Sequence, residues 1–329
     1  MFKGKKILIT GGTGSLGKAL AKKLLELDAD IVRIFSRNEN NQTTMESEFD
    51  DDRLRYFIGD VRDLPRLIKA MEDVDIVYHA AALKHVPVVE YNPFEAIKTN
   101  VLGSQNVIDA CLHENIETVV CVGTDKAVSP LNTYGATKLL MEKLFVTASN
   151  YTNPERHKTK FIAIRYGNVL GSSGSVVPTL LKQIESGRNI TITDPNMTRF
   201  NITMNQALDF IIRSSKKGNG GEVFIPKLKA YSLGILKEAI LEVLEKDVKT
   251  ELISVRPGEK YHESLISSEE IRNTFEDKDD YVILEDSLQN NIKTKKSTLT
   301  NQYSSDVVEC LTKKELKKIL IEEKLVSTK

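Results

Sequence analysis

The chain has 329 residues, of which 28% are charged, and its 46 Lys and Arg residues balance its 46 Asp and Glu residues. This balance argues against nucleic acid or a membrane surface as a partner, because both attract proteins that carry a strong positive field. The length suits one large α/β domain with a smaller second lobe.

Short apolar segments alternate with helical patterns along most of the chain. This alternation indicates an α/β fold with a doubly wound parallel sheet of the Rossmann type. The predicted helices include residues 65–71 and 96–113, and a further helix follows the first strand and ends near residue 27. The predicted strands are residues 6–10, 31–35, 54–58, 75–79, 118–122, 161–165 and 222–226.

Two parts of the chain, residues 171–200 and 228–329, do not follow this alternation. We expect them to form a smaller C-terminal substrate-binding lobe at the carboxyl edge of the sheet, where such folds bind ligands. The dinucleotide-binding domain then comprises residues 1–170 and 201–227. Near the end of the chain, Thr312 begins a capping-box pattern that predicts an amphipathic packing helix.

No run of apolar residues reaches membrane-spanning length, and the N-terminus lacks a signal-peptide pattern, so we expect a cytoplasmic protein. Cys111, Cys121 and Cys310 lack the spacing of metal ligands, and neither His79 nor His85 has a partner at such a spacing. We therefore expect reduced thiols that serve packing, and no metal site.

A glycine-rich turn follows the first predicted strand and precedes a helix. Gly11, Gly14 and Gly17 permit a tight turn, close approach of the backbone to a pyrophosphate and close packing of helix on strand. The helix N-terminus offers its amides to phosphates. Ser36 and Arg37 follow the second strand, where an acid often selects NAD, and an arginine there fits a 2′-phosphate. The site is therefore predicted to bind NADP, and the alternative is a solvated Arg37.

Tyr134 and Lys138 are four residues apart and share one face of a predicted helix. The lysine is expected to lower the pKa of the phenol, which would make a general base for an alcohol that loses hydride from the same carbon. Asp125 and Lys126 add a second acid/base pair after the fifth strand, more than an alcohol dehydrogenase needs. The pair favours chemistry beyond redox, although such a dipeptide is more commonly an exposed ion pair.

Further cofactor contacts are predicted after the later strands. Asp60 and Val61 would flank the adenine, and the alanines at 80–82 would let the dinucleotide approach the backbone. Asn100, in the helix expected behind Tyr134, would position a water or the lysine. The full predicted set is Gly11, Thr13, Gly14, Ser15, Leu16, Gly17, Ser36, Arg37, Asp60, Val61, Ala80, Ala81, Ala82, Lys84, Asn100, Tyr134 and Lys138.

Several strings narrow the prediction. Beside the glycine turn, Asn100 and Tyr134-x-x-x-Lys138, they are residues 81–87, 90–93, 124–130, 165–171, 174–178, 193–200 and 256–260. Together they resemble the UDP-N-acetylglucosamine 4,6-dehydratases of the extended short-chain dehydrogenase/reductase superfamily. The resemblance covers nearly the whole chain and is closest to the C5-inverting type that opens pseudaminic acid biosynthesis, which keeps Tyr134 where many relatives carry Met.

The resemblance implies loss of water from UDP-N-acetylglucosamine to give UDP-2-acetamido-2,6-dideoxy-β-L-arabino-hexos-4-ulose, with transient hydride transfer to NADP⁺. Tyr134, assisted by Lys138, would take the proton of the carbon 4 hydroxyl, near which Thr124 would hydrogen-bond. Lys126, with a pKa lowered by burial and neighbouring cations, would take the carbon 5 hydrogen. Asp125 would protonate the departing carbon 6 hydroxyl.

The resemblance also implies a binding site for the nucleotide sugar and a homo-oligomer, either dimer or hexamer. Arg199, Arg256 and Glu259 would hold the UDP part, although the two arginines would otherwise be read as surface charges. The predicted substrate contacts are Lys84, Asn168, Ser175, Val176, Val177, Pro178, Thr193, Arg199, Arg256 and Glu259.

Three alternatives remain open from the sequence. A retaining 4,6-dehydratase shares the Thr124-Asp125-Lys126 string. A nucleotide-sugar 4-epimerase needs the Tyr134/Lys138 pair but not the Asp125/Lys126 pair. A non-catalytic NADP-binding scaffold or sensor ranks lowest, because such proteins usually lose the tyrosine or the lysine.

Overall fold

The computed structural model describes residues 1–150, 157–172, 174–284 and 294–326. The strands of these residues are β1 (Lys6–Thr10), β2 (Ile31–Ser36), β3 (Leu54–Ile58), β4 (Ile76–His79), β5 (Thr118–Val122), β6 (Lys160–Ile164), β7 (Ile190–Ile192), β8 (Thr198–Phe200), β9 (Val223–Pro226), β10 (Ala230–Ser232), β11 (Thr250–Leu252), β12 (Ser264–Ile266), β13 (Thr274–Glu276), β14 (Asp280–Ile283), β15 (Lys295–Lys296) and β16 (Tyr303–Ser304). The helices are α1 (Ser15–Glu26), α2 (Glu39–Phe49), α3 (Leu64–Met71), α4 (Val86–Tyr91), α5 (Pro93–Ala96), α6 (Gly103–His113), α7 (Thr133–Ala148), α8 (Val176–Glu185), α9 (Met204–Lys217), α10 (Leu233–Val243) and α11 (Lys313–Glu322), with a π-helical segment at Ile97–Leu102.

Parallel strands in the order β3-β2-β1-β4-β5-β6-β9 form the centre of the fold and confirm the predicted doubly wound α/β sheet. Alternate side chains of a strand face opposite sides of the sheet. Ile7 and Ile9 of β1 pack with Leu20 of α1 and Phe210 of α9, whereas Leu8 belongs to the core under α3, α6 and α7. Helices therefore cover both faces, and the carboxyl ends of the strands are left for a site.

Three short strands extend this sheet in a way that the sequence did not predict. β14 pairs antiparallel with β9, and β13 and β15 follow it outward, although we assigned residues 228–329 to the lobe. Without β14, β9 would be an open edge with unpaired backbone groups, and pairing removes that cost. The division of the chain into two lobes otherwise stays a prediction.

The lobe has a hydrophobic core of its own. Leu180 of α8, Leu236 of α10 and Leu316 of α11 are buried in one cluster. Thr312 and Glu315 form the predicted capping box at the start of α11, each side chain accepting from the other residue's backbone amide. In the part of the chain that the structure describes, none of the helices combines the length and apolar composition of a membrane span.

Arg165 joins the sheet to a helix and to the lobe through a buried ion network. Its guanidinium, 1% exposed, donates to Glu142 of α7 at 2.6 and 2.5 Å and to Glu270 at 3.0 and 2.7 Å. A buried charge is tolerated only while its partners remain, because an unpaired one loses its hydration without compensation.

We expect Arg165→Met to lower the free energy of unfolding by about 3–5 kcal/mol, because two carboxylates lose their shared cation. Urea unfolding followed by circular dichroism measures the loss. Lys18→Met is the control: it breaks the more exposed Lys18–Glu48 pair of 2.6 Å and should cost at most about 1 kcal/mol. Similar losses in both variants would contradict the role of the network.

Candidate active site

A cleft of about 470 Å³ runs along the carboxyl ends of the parallel strands. The structure places every predicted cofactor contact except Asn100 on its wall, together with Thr124 and Asn168. Sequence reasoning missed several wall residues, most of which belong to types that do not by themselves indicate a binding site. Asn38 and Asn41 could have been noticed as polar neighbours of Arg37. The missed residues are Phe35, Asn38, Asn41, Gly59, Thr99, Val122, Gly123, Tyr166, Gly167, Val169, Ser172 and Met204.

The glycine turn between β1 and α1 has the geometry that a dinucleotide phosphate requires. Gly11 has a φ of +69°, and a Cβ there would lie 2.9 Å from the Cα of Ala81. A Cβ at Gly17 would lie 2.5 Å from the carbonyl oxygen of Gly12, so α1 packs directly on the turn. Gly14 is the N-cap of α1, and because glycine has no side chain to accept a hydrogen bond, the first amides of the helix are left for an anion. The turn therefore fits a pyrophosphate.

The end of β2 carries the residues expected at the adenosine ribose. The side-chain amide of Gln42 donates to the backbone and hydroxyl oxygens of Ser36 at 3.1 and 3.0 Å, which fixes the loop. The side chain of Arg37 is 56% exposed and lies 3.9 Å from Asp60. The Asp60 carboxylate is already paired with Arg62 at 2.7 Å, so the positive charge of Arg37 remains available to the ribose end of a dinucleotide.

Asn100 lies outside the cleft, contrary to the predicted cofactor contact. The predicted helix at 96–113 is interrupted by the π-helical segment that contains Asn100, and the residue is completely buried. Its amide exchanges hydrogen bonds with the backbone of Leu83 at 2.8 and 3.0 Å and donates to the Thr137 hydroxyl at 3.0 Å. Asn100 thus ties the loop after β4 to α7, and it positions the wall of the cleft from behind.

Tyr134 and Lys138 share the buried face of α7, as predicted, but their electrostatics differ from the expectation. Burial raises the pKa of the Tyr134 phenol, and Lys126 is the cation that opposes this effect. The predicted lowering by Lys138 is wrong because the Lys138 ammonium donates to the carbonyl of Val122 at 2.7 Å and to Met141 Sδ at 3.1 Å. Burial lowers the pKa of Lys138 to about 8.

The Thr124-Asp125-Lys126 segment follows the carboxyl end of β5, and the ion pair is largely buried, since the exposed fraction of the side chain is 21% for Lys126 and 1% for Asp125. Asp125 is completely buried. Its Oδ1 accepts from the Thr124 hydroxyl at 2.8 Å and from Lys126 Nζ at 3.1 Å, and Lys126 also donates to Asn168 at 2.9 Å. Asp125 Oδ2 has no hydrogen-bond partner among the described residues. One carboxylate oxygen is therefore left for a ligand.

The prediction that Lys126 has a lowered pKa is wrong. Burial alone lowers it, but the charges of Asp125 and Glu263 together raise it above the usual value of a lysine. Glu263 Oε1 lies 3.5 Å from Lys126 Nζ. Sequence reasoning missed Glu263 because the residue lies far along the chain and the string that carried the resemblance ended at Lys260.

The predicted UDP contacts meet beside this cluster. Arg199 of β8 is buried, donates to Glu259 at 3.1 Å and lies 3.9 Å from Glu263. The backbone amide of Arg256 donates to Glu259 at 3.4 Å, and the Arg256 side chain is exposed. Arg199 is therefore not a surface charge, whereas the Arg256 side chain is exposed and only its backbone contacts the same glutamate.

The predicted substrate contacts at residues 175–178 lie at the start of α8, and their side chains differ in exposure. Ser175 precedes the helix and has a buried hydroxyl without a partner in the described part of the chain, whereas Val176 and Pro178 are half-buried. Val177 is 1% exposed and belongs to the core of the lobe, so it cannot contact a substrate. Thr193 is half-buried and donates to Met197 Sδ at 3.1 Å.

Known proteins resemble the chain over its sheet and its lobe. Residues 7–285 match the family described as polysaccharide biosynthesis protein. A Campylobacter jejuni protein named UDP-N-acetylglucosamine 4,6-dehydratase (inverting) is 48% identical over 86% of this chain and 84% of its own length. A Rickettsia massiliae protein named UDP-glucose 4-epimerase is 39% identical over 98% of this chain and 96% of its own length. The X-ray structure of Pen from Bacillus thuringiensis is 40% identical and covers 99% of this chain and 100% of its own, with a TM-score of 0.93.

We expect Gly11→Ala to weaken the binding of a nicotinamide dinucleotide, tested with NADP⁺, by at least about tenfold, because the added Cβ pushes the turn away from Ala81. Isothermal titration calorimetry measures the affinity. Gly4→Ala is a matched control: Gly4 has a φ of +72°, similar to that of Gly11, but a Cβ there meets nothing within 4 Å. Gly4→Ala should bind NADP⁺ normally, and equal affinities in both variants would argue against close backbone approach.

Proposed function

Because the chain belongs to the polysaccharide biosynthesis protein family, we propose that it removes water from UDP-N-acetylglucosamine with inversion at carbon 5. The product is UDP-2-acetamido-2,6-dideoxy-β-L-arabino-hexos-4-ulose, a precursor of pseudaminic acid or a related surface-glycan sugar. The observation that carries the proposal is the largely buried Asp125–Lys126 pair, whose hydrogen-bond partners Thr124 and Asn168 line a cleft that fits a dinucleotide. The named Campylobacter jejuni relative supports the substrate and the stereochemistry.

The cofactor of the proposed reaction is NADP. The ribose end of the cleft is lined by Arg37, Asn38 and Asn41. The carboxylate beside Arg37, that of Asp60, already forms an ion pair with Arg62. Bound there, the dinucleotide would supply reversible hydride transfer, so that carbon 4 is oxidised, carbon 6 is reduced and the overall reaction is a dehydration without net redox change.

Tyr134 takes the proton of the carbon 4 hydroxyl in this proposal. Its side chain is buried, and the charge of Lys126 favours the phenolate. Lys138 stays fixed on the carbonyl of Val122 and holds α7 against the end of β5. The two lysines therefore have separate roles, since Lys138 is structural and Lys126 acts on the reacting groups.

The Asp125–Lys126 pair then supplies both partners of the elimination. A proton that moves from Lys126 Nζ to Asp125 over 3.1 Å converts an ion pair into a neutral amine and a carboxylic acid. The amine takes the carbon 5 hydrogen, which the ketone at carbon 4 has acidified, and the acid protonates the departing carbon 6 hydroxyl. The ion pair is restored when water has left.

Arg199 and Arg256 bind the diphosphate in this proposal, since guanidinium groups pair with phosphate oxygens in a bidentate way. Lys84 and Asn168 line the cleft between the dinucleotide turn and the acid/base pair. The sugar then lies between the arginines and Tyr134.

We further propose that the chain forms a homo-oligomer, a dimer or a hexamer. Large apolar side chains are exposed on neighbouring helices, among them Tyr91 at 87%, Phe94 at 61% and Leu140 at 51%. Apolar exposure of this kind is typical of a surface that another subunit covers.

A nucleotide-sugar 4-epimerase is the second candidate, favoured by the name of the Rickettsia massiliae relative. An epimerase requires the Tyr134/Lys138 pair, but it has no use for a buried acid beside a buried amine. The structure therefore supports the dehydratase better.

We expect the purified protein to convert UDP-N-acetylglucosamine into a 4-keto-6-deoxy sugar without accumulating NADPH. In heavy water, NMR should show one deuterium at carbon 5 with inverted configuration, because the proton returns to the opposite face. Stoichiometric NADPH would overturn the dehydratase, UDP-N-acetylgalactosamine would indicate the epimerase, and retained configuration would indicate the retaining dehydratase.

We expect Arg37→Ala to weaken NADP⁺ binding by about 10–100-fold, the loss of a charged hydrogen bond, while NAD⁺ binding changes little. Calorimetry with each dinucleotide gives the ratio. Arg66→Ala is the control, because Arg66 follows the same edge of the sheet but donates to the carbonyl of Ile58 and stays off the cleft wall. An unchanged NADP⁺/NAD⁺ ratio in Arg37→Ala would remove Arg37 from cofactor selection.

A further inference from the structure

Glu263 occupies a place in the active site that the proposed mechanism does not yet use. The residue precedes β12 and is 3% exposed. Its Oε1 lies 3.5 Å from Lys126 Nζ and 3.9 Å from Arg199 Nε, and its Oε2 has no hydrogen-bond partner in the described part of the chain. Its backbone exchanges hydrogen bonds with Ser305, at 2.9 and 2.8 Å, which fixes the position of the side chain.

The charges around Lys126 balance only when Glu263 is counted. The cations Lys126, Arg199 and Lys260 face an equal number of carboxylates, namely Asp125, Glu259 and Glu263. Enclosed charges are stable when each has an opposite partner. Without the charge of Glu263, the two remaining carboxylates would face three cations, and loss of a proton from Lys126 would restore the balance.

We propose, on the basis of the proposed function, that Glu263 is a positioning residue that keeps Lys126 protonated before the reaction and aims its ammonium group at the space beside Asp125. The proton that Asp125 later delivers to the carbon 6 hydroxyl is the one that Lys126 holds at the start. Glu263 therefore retains the proton on which the departure of water depends, without touching the sugar.

The direction of the pH effect follows from all the charged and titratable groups that face Lys126. Asp125, Glu263 and Tyr134 favour its ammonium form, whereas Arg199 and the neighbouring Lys260 disfavour it. Activity requires one proton on the Asp125–Lys126 pair, so the rate falls at high pH when that proton is lost. Removal of the Glu263 charge must shift this fall to lower pH.

The test compares wild-type protein with Glu263→Gln, which keeps the shape and removes the charge. The midpoint of Lys126 titration, followed by NMR of ¹³C-labelled lysine side chains without substrate, should fall by about 1–3 units. The alkaline limb of the pH–kcat profile should move in the same direction. Lys126→Arg identifies the Lys126 signal.

Two further variants separate this role from a merely structural one. Glu259→Gln removes a carboxylate that contacts Arg199 but not Lys126, so it should raise KM and leave the titration midpoint in place. Glu263→Asp keeps the charge one methylene further away, so it should restore the high midpoint while kcat stays below wild type.

An unchanged Lys126 midpoint in Glu263→Gln would overturn the inference, and so would an equal shift in Glu259→Gln. Failure of the wild-type protein to form the keto-deoxy sugar would instead overturn the proposed function. The NMR titration distinguishes the two failures, because it needs neither substrate nor turnover.

Discussion

The structure of the site depends on one constraint, the burial of an acid and an ammonium group side by side at the end of a parallel strand. Asp125 has no contact with solvent, and charged groups in that position are stable only with opposite partners. The segments around β5 supply the contacts: Asn168 after β6 accepts a hydrogen bond from Lys126, Glu263 before β12 lies beside the same ammonium, and Arg199 of β8 lies beside Glu263. The segments beyond the sheet thus complete the charge balance of a strand within it.

The same constraint couples the predicted nucleotide site to the chemical site. Arg199 lies 3.1 Å from Glu259 and 3.9 Å from Glu263, so one guanidinium takes part in both groups of charges. An anion bound at Arg199 would neutralise part of the positive charge that faces Glu263. The negative charge of Glu263 would then stabilise the Lys126 ammonium group more strongly. Electrostatic coupling of this kind acts over a few ångströms in a water-poor interior, where charges are poorly screened. Occupation of the proposed diphosphate site would therefore favour the protonated form of Lys126 from which the proposed elimination begins.

The sequence predicted what is local and periodic. The strands, the glycine turn and the shared face of Tyr134 and Lys138 follow from spacing, and the capping box at Thr312 follows from two side chains three residues apart. Asn100 was misplaced because its side chain is bonded to Leu83 and Thr137 from a π-helical segment, and spacing rules for α-helices contain neither feature. Glu263 was missed because its contact with Lys126 joins positions that only the tertiary fold brings together. Both errors concern side-chain contacts that only the tertiary fold creates. The predicted pKa of Lys126 was wrong because the contact with Glu263 was missed.

A comparison of the two active-site lysines shows why burial alone does not decide the charge of a group. Burial is the largest influence on both lysines and lowers the pKa of each. Lys138 meets a carbonyl and a thioether at hydrogen-bond distance, so burial prevails and its pKa falls to about 8. Lys126 meets two carboxylates, so their charges prevail and its pKa rises. The partners that each lysine receives from the fold therefore decide which of the two can hold a proton in reserve, and only Lys126 stands beside an acid that can pass that proton on.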